Sequence, residues 1–267
     1  MNTRKYIYPI LIILISIGFY YFEKKIDQHD NTSDNDNVTP EESNFYYLPT
    51  STTGSIIIHQ YYSLSYSEKH EQAEWVAYEL KKEHIAKNNF KRPYFEEDHK
   101  VKSSSADWRN YKKSGYNKGH LCPAADRTFS KKAFEETFLT SNISPQEYNF
   151  NSGIWNSLEQ KVRTWAKTYN KIYVVTGGIL TDDLSTIGYE HVSVPQYFYK
   201  IVFDNSPKQP KMIAFLIPHE DVDQKLSSFV VSVDHIEKLT QIDFFSKLED
   251  SLEKNLEATA STKGWSF

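Results

Sequence analysis

The stretch from about Ser152 to Tyr169 constrains the fold most, because its apolar residues fall at Trp155, Leu158, Val162, Trp165 and Tyr169. Steps of three and four residues put all five on one side of an α-helix, and such a stripe needs a broad apolar partner. The flanking sequence supplies one. Lys171–Thr176 (KIYVVT) runs into Gly177-Gly178, and the strand-like runs Tyr197–Phe203 and Lys211–Ile217 are joined by a turn over Asp204–Pro210. Ser55–His59 and Tyr61–Tyr66 alternate polar and apolar residues, and Ser228–Val233 is a further short candidate. Glu74–Leu80 (EWVAYEL) suits either a helix or a strand, and a last helix is expected over Asp243–Leu256. No internal repeat is present. Strands on both sides of one loop–helix block predict an α+β fold with a mixed or antiparallel central sheet and flanking helices.

The N-terminus reads differently. Tyr6 to Phe22 carries no charge, lies between Arg4-Lys5 and Lys24-Lys25, and has aromatic residues at both ends. As a helix it is roughly 25 Å long, slightly short of a ~30 Å hydrocarbon core. Residues 1–25 are therefore expected to be a signal anchor that spans the membrane. The rival is a cleaved signal peptide, for which Ser16-Ile17-Gly18 is a poor site because bulky aromatics follow it. Residues 26–44 hold six acidic residues and no Lys or Arg, too little apolar surface to fold, and read as a tether. These segments predict a membrane-anchored domain, residues 45–267, outside the cytoplasm, or a secreted one if the anchor is cleaved. Oligomeric state is not legible.

Charge is uneven within that domain. Residues 81–132 carry 14 Lys and Arg against 6 acidic residues, whereas residues 219–257 carry 10 acidic against 4 basic. The basic stretch suits a polyanion site, although from charge alone a solvated, ion-paired surface is the simpler reading. The single cysteine, Cys122, rules out an intramolecular disulfide and a cysteine-based zinc site within the chain. It is expected to be a small buried residue rather than a second nucleophile.

Between the two halves of the sheet lies a block rich in chemistry. In Gly115-Tyr116-Asn117-Lys118-Gly119-His120 a histidine follows a cation and a glycine, which suits a base near phosphate as well as a structural histidine. Gly119 permits a tight turn or a close approach to phosphate. Asn142 and Asn151 bracket a proline-containing loop; either is a normal capping residue, with Asn151 at the expected helix start, and an amide oxygen is also a hard ligand for Mg²⁺. Glu159 and Arg163 lie one helical turn apart on one flank of the apolar stripe. They form a surface ion pair on one reading, and on the other a carboxylate and a guanidinium aimed at a metal and a phosphate.

Taken together, this block resembles the DNA/RNA non-specific endonuclease family, whose fold carries a ββα-metal motif. The family's Asp-Arg-Gly-His, with its Pro-Ala-Ala-Asp-like tail, stands here as Asn117-Lys118-Gly119-His120 followed by Pro123-Ala124-Ala125-Asp126. Its Asn-x-Gly-x-Trp-x-x-Leu-Glu stands as Asn151, Gly153, Trp155, Leu158 and Glu159, and Ser141 to Gln146 (SNISPQ) also fits. The runs KIYVVTGG, VPQYFYKIVF and IEKLTQIDFF extend the likeness to roughly residues 55–250. The resemblance implies that His120 is the general base, Asn151 the one direct protein ligand of a Mg²⁺ (or Mn²⁺), Glu159 the residue that orients the ion's water, and Asn142 a hydrogen-bonding support. It further implies that Lys118 and Arg163 face phosphate, with Arg92 as another cation near the site. The implied activity is hydrolysis of DNA and RNA phosphodiesters with slight sequence preference, leaving 5′-phosphates.

Two positions depart from the pattern. Asn117 replaces the usual Asp, which should lower the His120 pKa, and Lys118 keeps the charge of the usual Arg but not its bidentate fork. These departures motivate an alternative: a membrane-tethered nucleic-acid-binding module that is catalytically weak or inactive. Retention of His120, Asn151 and Glu159 argues for the enzyme.

Overall fold

The computed structural model describes residues 47–267. The expected membrane anchor and tether, and the placement outside the cytoplasm inferred from them, lie outside the described residues. Among the described residues no helix is long and apolar enough to cross a membrane.

In chain order the strands are β1 (Ile56–Ile58), β2 (Ser63–Ser67), β3 (Gln72–Lys81), β4 (Asn117–His120), β5 (Ile143–Gln146), β6 (Lys171–Gly178), β7 (Thr186–Ile187), β8 (Val192–Ser193), β9 (Tyr197–Asp204), β10 (Lys211–Pro218) and β11 (Val230–Val231). Seven form one sheet in the order β1-β2-β3-β6-β9-β10-β11, and every neighbouring pair is antiparallel. The pairs β4-β5 and β7-β8 stand apart as two-stranded ribbons.

Both faces of the central sheet are covered. Ile172 and Val174 of β6, Phe198 and Val202 of β9, and Ile213, Phe215 and Ile217 of β10 enter one core. Their odd-even neighbours Tyr173, Val175, Tyr199, Ile201, Phe203, Met212 and Ala214 enter a second. A strand buried on both faces reads as a nearly unbroken apolar run, as these do. The same fact settles Glu74–Leu80, which lies within β3: Trp75 and Ala77 face one core while Val76, Tyr78 and Leu80 face the other.

The helices are α1 (Lys131–Glu136), α2 (Asn156–Tyr169), α3 (Val233–Thr240) and α4 (Asp250–Glu257). Helix α2 lays Leu158, Val162 and Trp165 on the first core, with Trp155 just ahead of it. Burying each such side chain contributes about 1.5–3 kcal/mol, so the stripe anchors this helix far more firmly than propensity does. Trp165 stacks on Phe215 with centroids 6.2 Å apart, and its indole N–H donates to the Ser266 carbonyl at 2.9 Å.

Helices α3 and α4 cover the opposite face, where Val233 and Ile236 join the second core. A last helix was expected over 243–256; it is confined to α4, and an unexpected helix, α3, precedes it across residues 241–249. Gln241 (φ 59°) and Phe245 (φ 58°) adopt left-handed backbone that no helix continues through, and the Ser232 and Glu249 side chains each cap a fresh start. The strand expected over 228–233 shrinks to β11, flanked by a 3₁₀ turn and by α3.

Candidate active site

The ribbon β4-β5 and the helix after it carry the residues singled out in the sequence. Register pairs Asn117 with Gln146, Lys118 with Pro145, Gly119 with Ser144 and His120 with Ile143. Gly119 is not in a tight turn. A Cβ there would lie 2.1 Å from Gln146 Cδ, so glycine is needed to let that side chain cross the ribbon. β5 then runs through Glu147 into a helical turn, Tyr148–Phe150, and on towards α2.

His120 is half-buried as a residue, but its Nε2 is shut off from solvent and has no hydrogen-bond partner. The ring packs edge-on against Phe138 (5.0 Å between centroids) and against Phe95 (5.6 Å). Burial pushes its pKa down to about 3, and the positive charge of Arg92 adds to the effect. The imidazole is therefore neutral, as expected, although burial rather than the missing Asp is the main cause. Arg92 reaches the site because the Phe95–Glu96 segment is tied to the chain after α1. Glu96 N–H donates to the Phe138 carbonyl at 3.2 Å, and Thr140 N–H to that of Glu96 at 2.8 Å. Its guanidinium lies 5.4 Å from the Phe138 ring centre. The Lys118 ammonium sits 5.3 Å from the Phe95 ring centre and 6.0 Å from that of Tyr111, and burial lowers its pKa. Arg92 and Lys118 thus share one aromatic surround with His120.

Asn142 supports this arrangement from behind. Fully buried, its Oδ1 accepts from Cys122 N–H at 2.8 Å, and its Nδ2 donates to the carbonyls of Cys122 (3.0 Å) and Thr137 (2.9 Å). It holds the backbone two residues beyond His120 and caps no helix. Cys122 is buried, and its thiol is pushed up to about 12 by that burial, so it stays protonated.

Asn151 does not cap the helix either, because the helical path begins earlier. Glu147 is the cap, accepting from Phe150 N–H at 2.7 Å. Asn151 instead opens a wide turn, Asn151–Trp155, within which Gly153 leaves helical geometry (ψ −105°). Such π-turns interrupt the regular ladder and re-aim the side chains around them. The half-buried Asn151 amide makes no side-chain hydrogen bond among the described residues, so its oxygen is available as a hard ligand.

Beyond it lies a buried charge cluster that is only partly legible in sequence. Arg163 is not a surface residue. Its Nη1 donates to Asp126 Oδ1 at 2.9 Å and lies 4.0 Å from Glu159 Oε2. Tyr78 OH donates to the other Asp126 oxygen at 2.9 Å. Lys200, fully buried, has no hydrogen-bond partner and lies 4.8 Å from the Trp155 ring centre. Burial raises the Glu159 pKa to about 7, opposed by the charges of Lys200 and Arg163 and reinforced by Asp126. Lys200 was missed by sequence reasoning. Its one signal is that of a lone cation inside the apolar run YFYKIVF, on the parity of Phe198 and Val202 that faces α2.

Among proteins of known type, the mouse mitochondrial nuclease EXOG is 32% identical over 213 residues, 71% of this chain and 56% of that protein. The human mitochondrial endonuclease G is 31% identical over 201 residues, covering 68% and 67% of the two. A solved structure of an EndoG/EndoGI complex aligns with TM-score 0.68 and 31% identity over 73% of this chain and 87% of that one. The chain spans little more than half the length of the first of these relatives. The sequence matches the family described as DNA/RNA non-specific endonuclease over residues 41–251, which contain every site residue above and most of the sheet, and the chain belongs to that family.

Proposed function

We propose that this chain is a metal-dependent endonuclease that hydrolyses phosphodiester bonds of DNA and RNA with little sequence preference, residues 45–267 forming the catalytic domain. The carrying observation is the state of His120: a neutral imidazole with no hydrogen-bond partner on its buried Nε2, in an aromatic surround shared with two cations. A base set among cations rather than carboxylates suits an anionic substrate. An incoming phosphate offsets the field of Arg92 and raises the imidazole's pKa towards the range in which a base is effective.

His120 takes a proton from a water through Nδ1, the ring nitrogen that is not shut off from solvent, as that oxygen bonds to phosphorus and the P–O3′ bond breaks. O3′ leaves with a proton from solvent, so the products carry a 5′-phosphate and a 3′-hydroxyl. Arg92 and Lys118 face phosphate oxygens, and Arg163 keeps guanidinium donors beyond the one bound to Asp126. Tyr94 and Tyr148, 91% and 64% exposed, flank these elements and offer faces on which bases stack irrespective of identity.

The residues present fit a divalent ion. Asn151 supplies an uncommitted amide oxygen and Glu159 a carboxylate two turns on, a hard-oxygen set that suits Mg²⁺ or Mn²⁺. When bound, the ion supplies positive charge to the phosphate oxygens in the transition state. Asn151 would hold it, and Glu159 would orient its hydration.

The test is cleavage of supercoiled plasmid and of RNA by the full chain with Mg²⁺. His120→Ala should lose about 10²–10⁴-fold in rate, and Asn151→Ala and EDTA should each abolish cleavage. Cleavage that persists in EDTA, or a rate in His120→Ala close to that of the wild type, refutes the mechanism. Nucleic-acid binding without any cleavage selects the inactive-module alternative.

A further inference from the structure

On the far side of the sheet from His120, the acidic excess of residues 219–257 has a spatial focus. Asp234 and Glu237 of α3 and Glu257 at the end of α4 each present a carboxylate oxygen, no two of these being more than 4.8 Å apart. Glu257 is only 5% exposed, and its Oε1 is buried with no hydrogen-bond partner. Glu253, one turn earlier on α4, also has a buried, unpartnered Oε1. The strongest electrostatic influences on Glu257 are Glu237, Glu253, Asp243 and Asp234, all carboxylates. Asp234, Glu237 and Glu253 are half-buried, and Glu237 accepts from Phe244 N–H at 2.9 Å, but the buried Glu257 faces only carboxylates, which repel it, so the arrangement calls for a proton or a cation.

We propose that this cluster binds a divalent cation of the calcium type, which staples α3 to α4. The three oxygens converge from two helices, and one of them, on Glu257, lacks any other partner. Oxygens within 4.8 Å of one another can all lie within about 2.8 Å of a single point, so only small side-chain shifts separate them from the Ca²⁺–oxygen distance of about 2.3–2.6 Å. Ca²⁺ accepts six to eight oxygens in flexible geometry, which suits irregularly placed carboxylates completed by water, whereas Mg²⁺ demands a near-ideal octahedron. Helices α3 and α4 each contribute one short apolar face to the second core, so a bridge between their polar sides adds a tie that packing does not supply.

The test uses the full chain carrying Asn151→Ala, which removes the expected metal ligand of the active site, with CaCl₂ as the only divalent ion and unfolding as the readout. Saturating Ca²⁺, about 100-fold above its Kd, should raise Tm by about 5–10 °C over EDTA at pH 7.5. Adding Glu257→Gln should abolish that rise while leaving Tm in EDTA about unchanged, since burial and the neighbouring carboxylates favour the neutral acid at Glu257, which the amide mimics. Asp234→Asn, at a more exposed position, should weaken the response and serves if Glu257→Gln does not fold. No Ca²⁺-dependent rise, or a rise that survives both substitutions, overturns the proposal. Stabilisation by acid alone, with no response to Ca²⁺, identifies a proton as the occupant and also overturns it. These outcomes are independent of nuclease activity.

Discussion

Asn142→Ala removes three hydrogen bonds from a fully buried position and strands their backbone partners, Cys122 N–H, Cys122 C=O and Thr137 C=O. An unpaired buried group costs about 1–3 kcal/mol, and some relaxation around the small cavity is expected, so the net loss should be about 3–5 kcal/mol. For a domain of this size that lowers Tm by roughly 6–20 °C. Because the freed backbone lies two residues beyond His120, kcat should fall with little change in KM. Calorimetric or circular-dichroism melts and steady-state cleavage of a fluorescent oligonucleotide measure the two effects. Asn142→Asp sharpens the comparison. It keeps the acceptor for Cys122 N–H but sets a carboxylate against two carbonyls, so it should be at least as unstable as the alanine variant at pH 7. It should recover in part once acid protonates the new side chain and one donor returns. A variant with wild-type Tm and lost kcat refutes the positioning role and places Asn142 on the substrate or the ion instead.

Other expectations concern the titrating groups. Lys200 lowers the Glu159 pKa, so Lys200→Met should keep Glu159 protonated to higher pH and move the acid limb of the pH–rate profile towards alkaline pH; an unmoved limb uncouples the two residues. His120 is pushed down to about 3 in the folded chain, whereas an unfolded histidine titrates near 6.5. Between those values the unfolded state binds the extra proton, so this group's contribution to stability falls as pH drops from about 6.5 towards 3. His120→Gln should therefore match wild type in urea unfolding at pH 8 and be the more stable protein at pH 4.5. The reverse order at pH 4.5 contradicts a buried neutral imidazole.

Helix α2 and strands β6, β9 and β10 were legible in the sequence because apolar periodicity is a local consequence of what each element buries. The motif around His120 and Asn151 was legible as a resemblance, because its residues lie on adjoining segments, β4, β5 and the helix that follows. Cap positions were not. Asn151 looked like the start of a helix because the turn Tyr148–Phe150 ahead of it is only three residues long, and only the Glu147 bond to Phe150 shows where the helical path begins. The late start of α4 was hidden for a related reason: left-handed backbone at Gln241 and Phe245 carries no glycine to announce it.

By itself, then, the sequence determined the apolar faces of the regular elements, which family the chain resembles, and His120 and Asn151 as candidate site residues. The tertiary structure decided the environments. Asp126, Arg163, Glu159 and Lys200 form one buried cluster because a 3₁₀ turn, a helix and a central strand meet on one face of the sheet. Asp234, Glu237 and Glu257 converge on the other because α3 and α4 pack on it side by side. A pKa or a metal preference depends on desolvation and on charges a few ångströms away, and those distances are set by packing across the sheet rather than by spacing along the chain.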